Sequence, residues 1–146
     1  MKTTIAKALK EKNKIVNKIN VLSSKIKEHN CEIEGSTQIY NVKDLLENLV
    51  KEKSNLVILK AAIFEANAPI YKDILTLSEY KSHLKFLNSI EIQEGIKRDR
   101  YSEKEFKYKS QLTSIERDKL VEEYQNKVDE LQEKIDVFNH TNYITY

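Results

Sequence analysis

His29 and Cys31 stand two residues apart, and an imidazole with a thiolate at that spacing can offer two soft ligands to a transition metal. A structural zinc site needs four ligands, and His83 and His140 are remote in sequence. The pair therefore reads as a partly buried thiol beside a solvated histidine, and no metal or other cofactor is expected. Nucleophilic catalysis would need a base beside a Ser or Cys on a sharp glycine turn. The two glycines, Gly35 and Gly95, occur in no such context, and no glycine-rich loop is present to cradle a phosphate. Glu122-Glu123 and Asp129-Glu130 read as the wet face of a helix rather than as an acid and base pair. The chain is expected not to be an enzyme, and no small-molecule substrate is evident.

The segment best suited to binding is basic and aromatic together. Lys97, Arg98, Arg100, Lys104, Lys107 and Lys109 are interleaved with Tyr101, Phe106 and Tyr108. Cations there would neutralise phosphates while the rings stacked on bases. Asp99, Glu103 and Glu105 cut the six positive charges to a local +3, and aromatics on a strand commonly pack inward. Arg98, Arg100, Tyr101, Lys107 and Tyr108 are thus candidates for a polar binding segment, with nucleic acid not the expected partner.

These residues must be held by helices. Six residues, Val121, Tyr124, Val128, Leu131, Ile135 and Phe138, recur at strict 3-4 spacing. That is an a/d seam of the kind two helices bury against each other, within a chain or between chains. Thr113-Ser114-Ile115-Glu116 has the form of a capping box and launches this helix, predicted over 114–139. The first helix is predicted over about 3–30, with Ile5, Ala8, Leu9, Ile15, Val16, Ile19, Leu22 and Ile26 on one broad stripe and Lys7, Lys14, Lys18 and Lys25 opposite.

A turn at Glu34-Gly35-Ser36 precedes Asn41, a fitting N-cap for a second helix over 42–66. Its stripe is Val42, Leu45, Leu46, Leu49, Leu56, Leu59 and Ile63; Val57, Ile58, Ala61, Ala62 and Phe64 add apolar residues, so its C-terminal half is expected to be buried nearly all round. Pro69 ends it. Thr76 to Glu79 fits another capping box, giving a third helix over 77–94 that Gly95 ends as a left-handed cap. Residues 105–112 alternate with period two, which argues for a strand, and its partner is expected at 37–40. Asn30, Asn67 and Asn139 each follow a buried isoleucine by four residues, as left-handed C-caps would.

Composition agrees with this reading. With 146 residues the chain fits a single domain, and 33% charged against 40% hydrophobic residues suits amphipathic helices. The expected fold is an all-α four-helix bundle with long, coiled-coil-like first and last helices and a small two-stranded β ribbon. One cysteine permits no internal disulfide, lysines interrupt any signal-like N-terminal run, and no apolar stretch reaches the roughly 18 residues of a membrane span, so a cytoplasmic protein is expected. Residues 1–27 carry eight lysines against Glu11 alone, +7, whereas 113–139 carry four basic and eight acidic residues, −4. Complementary ends flanking apolar stripes point to helix pairing and a homo-oligomer.

Several segments together resemble a family of small, uncharacterised bacterial proteins described as septicolysin-like. They are Ile5 to Asn13 with Val16 and Ile19, the turn at Glu34-Gly35, the run Arg100-Tyr101-Ser102-Glu103-Lys104-Glu105-Phe106-Lys107, and Ile135 through Asn139 to Thr141. His140 and Asn142 depart from the pattern, which carries tryptophan and threonine there. The resemblance implies a helical fold and supplies no activity, substrate or cofactor. The functional expectation is a non-catalytic, self-associating or scaffolding protein. A membrane-active or cytolysin-like role is the alternative, suggested by the family's description and the basic amphipathic first helix, and nucleic-acid binding comes third.

Overall fold

In a computed structural model, residues 2–146 are described, in the order β1 (Lys2–Thr4), α1 (Ile5–His29), α2 (Val42–Ala66), α3 (Tyr71–Ser89), β2 (Gly95–Arg98), β3 (Glu105–Tyr108), α4 (Ser114–Thr141) and β4 (Tyr143–Thr145). A 3-10 turn, Ala68–Ile70, joins α2 to α3. The fold is mostly helical, with two small two-stranded antiparallel sheets, β1 with β4 and β2 with β3. The residues divide into two compact units, 2–70 with 136–146, and 71–135.

The first unit is built on an antiparallel helical hairpin. Ile5, Ala8, Lys12, Ile15, Ile19, Leu22, Ile26 and His29 of α1 are buried or half-buried at 3-4 spacing, and so are Val42, Leu45, Leu49, Glu52, Leu56, Leu59, Ile63 and Ala66 of α2. Two helices with that spacing present one continuous stripe each and zip along their length. Lys18 reaches Glu52 at 2.5 Å, and the Lys25 ammonium lies 4.8 Å from the Tyr40 ring centre, so the chain doubles back through a turn at Gly35. At the open end, opposite that turn, Ile144 of β4 completes a core with Ile5, Ala8, Leu59 and Ile63, onto which Phe138 packs. The Ile5 amide donates to the Asn142 carbonyl at 3.0 Å.

In the second unit α3 and α4 also run antiparallel. Asp73 pairs with Lys134 at 2.7 Å, the Lys81 ammonium donates to Gln132 Oε1, and Tyr80 meets Tyr124 edge-on at 5.6 Å. Leu77, Leu84, Leu87, Val128 and Ile135 are its buried aliphatics.

Local chemistry explains where the elements begin and end. The Asn41 side chain accepts from the amides of Lys43 and Asp44, and Thr113 and Glu116 cap each other reciprocally, as the sequence predicts. The third helix differs. It begins at Tyr71, because Pro69 sits in a 3-10 turn where its missing N–H costs nothing, so the helix starts without the second capping box. Thr76 Oγ1 instead donates to the Lys72 carbonyl within the helix. The helix stops at Ser89, and Gly95, at φ +94°, opens β2 rather than capping α3.

The ribbon differs too. Residues 37–40 form no strand, and only Glu105–Tyr108 of the predicted 105–112 does, pairing with Gly95–Arg98. A neighbour six residues away closes a short loop, whereas 37–40 would close one of more than sixty at greater entropic cost. The asparagine endings are not left-handed. Asn30 and Asn67 are right-handed caps at φ −69° and −81°, and Asn139 lies inside α4.

Candidate functional site

The six seam residues share one face of α4. Val128 and Ile135 are buried, while Val121, Tyr124, Leu131 and Phe138 are half-buried. Tyr124 packs on Tyr80 and on His83, whose ring centre is 4.3 Å away. Phe138 belongs to the hairpin core of the first unit. Two of the six are thus covered within the chain and four are covered in part.

The polar segment forms the β2–β3 hairpin and its loop. Arg98 pairs with Glu105 at 2.7 Å, the Lys97 ammonium lies 5.8 Å from the Tyr108 ring centre, and Lys107 faces Ile96 in the register. Tyr101 at the loop is 97% exposed. Asp99 accepts from the Ser102 hydroxyl and the Tyr101 amide, which hold its carboxyl below the usual aspartate range and fold the loop around it. Arg98 is thus engaged within the ribbon, and every strand residue is exposed.

The expected burial of the pair is reversed: Cys31 is exposed because α1 ends at His29 and the thiol lies in the connector, whereas His29 is half-buried with its ring 4.8 Å from that of Tyr40. His83 is packed among aromatic rings, and His140 Nδ1 lies 2.7 Å from the Asp136 carbonyl oxygen. The remaining shifted groups have structural causes. The Thr113 amide and hydroxyl hold the Glu116 carboxyl low, and the Glu123 carboxylate holds the Lys127 ammonium high. These are a cap and an i,i+4 pair on solvated surface. Two open clefts of about 450 and 620 Å³ lie against α4 and α1, and each contains an already-formed ion pair, Lys134 with Asp73 and Lys18 with Glu52.

The surface with most to offer a partner lies on the outside of α2. Leu46, Val50, Val57 and Ala61 share one face, about a third of a turn from the buried stripe, and all are exposed, Val50 by 63% and Val57 by 67%. Ile58 and Phe64 beside them are also exposed. This overturns the expectation that the C-terminal half of α2 is buried all round and that Leu46 belongs to the inner stripe. A helix in a two-helix hairpin has one covered face, and Leu56, Leu59 and Ile63 already fill it. The signal in the sequence was the second 4-7-4 spacing of Leu46, Val50, Val57 and Ala61, which the first stripe obscured.

No protein-family model, curated protein or solved structure matches this chain. Among the described residues no helix is long and apolar enough to cross a membrane.

Proposed function

We propose that this chain is a non-catalytic, self-associating helical module that works as a scaffold. The exposed apolar stripe of α2 carries the reading. Surface aliphatics scattered singly need no explanation, but four in line along 16 residues of one helix form a patch of the kind that marks an interface. The alternative of chemistry finds less support, because the perturbed groups Asp99, Glu116 and Lys127 each serve a turn, a cap or a helix pair. A four-helix bundle with coiled-coil-like packing and a cytoplasmic location belong to the same proposal. The likeness to septicolysin-like proteins enters it as common descent and adds no activity.

Light scattering at micromolar concentration should give a mass above that of one chain. Val50→Ser with Val57→Ser should lower that mass while leaving the helical circular dichroism in place. A strictly monomeric wild type would overturn the proposal, and release of dye from anionic vesicles would favour the membrane-active alternative instead.

A further inference from the structure

The lysines of α1 and the acids of α4 match when one helix is read backwards. Lys10, Lys14 and Lys25 share the outer face of α1, at intervals of 4 and 11 residues. Glu133, Asp129 and Asp118 share an exposed face of α4 at intervals of 4 and 11 in the opposite direction. Laid antiparallel, the two helices bring all three opposite-sign pairs to the same levels, with Lys7 level with Asp136 as a fourth. Laid parallel, Lys7, Lys18 and Lys25 align with Asp118, Asp129 and Asp136, but Glu11 then meets Glu122, a clash of like charges that the antiparallel register does not have. Like charges at one level are unfavourable, so the antiparallel register is preferred.

A second match arises independently from apolar residues. Leu46, Val50 and Ala61 of α2 are exposed at intervals of 4 and 11. Ile90, Phe86 and Leu75, half-buried or exposed on and just beyond α3, have the same intervals in reverse. The apolar residues are exposed or half-buried in the single chain, while Lys14 pairs with Glu11, Lys25 lies against Tyr40 and Asp118 pairs with Arg117, local contacts that a second copy would exchange.

We propose that the α1–α2 hairpin of one copy packs against the α3–α4 pair of a second copy, completing a four-helix bundle from two chains. The inference rests on the self-association reading and adds the faces and the register. The four registers close on one another. Lys18 is level with Glu52, which puts Lys14 level with Leu56. The apolar match puts Leu56 level with Tyr80 of the second copy. The Asp73–Lys134 pair then puts Tyr80 level with Lys127. That is two residues, about 3 Å at the helical rise, from Asp129, which the charge match had placed opposite Lys14. All neighbouring helices run antiparallel in this arrangement, as in an up-down-up-down bundle. Each copy has one hairpin and one pair to give, so a two-fold dimer makes the contact twice and closes.

The test uses the full chain with Cys31→Ser, so that introduced thiols are the only ones. Lys14→Cys with Asp129→Cys and a short bismaleimide should give a covalent two-chain species on a denaturing gel, and Lys14→Cys with Asp118→Cys, 11 residues out of register, should not. Lys14→Glu should weaken association about tenfold, and adding Asp129→Lys should restore it. If light scattering shows association but 14/129 links no better than 14/118, the register is refuted and self-association stands. If the 14/129 link forms within single chains, the second copy is refuted as the partner. If wild type and variants are all monomeric, both readings fall.

Discussion

Leu59 and Val57 are neighbours on α2 with opposite fates, and the contrast gives the sharpest stability test of this fold. Leu59 has no accessible surface and lies among Ile5, Ala8, Ile63 and Ile144, drawn from α1, α2 and β4. Truncating it to alanine removes buried methyl groups and leaves a cavity that the tied ends of the hairpin cannot collapse. The expected cost is about 3 kcal/mol, within the usual range of roughly 2–5 for such sites. Val57 is 67% exposed, so Val57→Ala loses little burial and gains helix propensity. Its expected effect on the isolated chain lies within about 0.5 kcal/mol of zero. Urea unfolding followed by far-ultraviolet circular dichroism, at sub-micromolar protein where association does not contribute, reads both values. Repeating it at high micromolar protein should add a stabilising increment in wild type that Val57→Ala reduces. Equal costs for the two variants, or a larger one at Val57, would mean that the inner and outer faces of α2 are misassigned.

Four further outcomes follow from named residues. Glu52 occupies a seam position between Leu49 and Leu56 with its side chain 14% exposed, so Lys18→Ala should destabilise the hairpin by about 1 kcal/mol, whereas Glu52→Leu should be neutral or stabilising in the same urea titration. Thr113→Ala should cost about 1 kcal/mol by removing the α4 cap. Glu116, with its folded carboxyl held below its unfolded value, contributes stability present above the ordinary glutamate range and lost as pH falls through the lower folded value; Glu116→Gln should flatten that acid limb in a pH series of thermal melts. Gly95→Ala, at φ +94°, should cost about 1 kcal/mol in the ribbon and speed amide exchange over 95–108, while amides of α1 and α2 remain as protected as in wild type.

Much of the local structure was legible because it rests on short-range rules. The N-caps at Asn41 and Thr113 involve partners within three residues, and the seam from Val121 to Phe138 shows its period directly. The misreadings have a common physical origin in choices that depend on distant partners. Thr76 to Glu79 has capping chemistry, but nothing in that segment reveals that a helix already runs through it from Tyr71. The 105–108 strand shows its alternation, yet its partner is selected by loop closure over the exposed Ile96 and Lys97 rather than by β propensity at 37–40. The outer stripe of α2 was hidden for a different reason. Apolar residues on two faces look like a helix buried all round, and only the hairpin's single partner distinguishes one covered face from one left open. The same ambiguity concealed the candidate site, because its residues are ordinary core types placed where one chain has no core.

The mass of the unmodified protein in solution is the most direct measurement. Sedimentation or light scattering from sub-micromolar to high micromolar concentration should show a two-chain species that weakens as salt is raised, since lysine–carboxylate pairs contribute to the contact and salt screens them. A single-chain mass throughout that range, with the α2 stripe still open to solvent, would contradict the account.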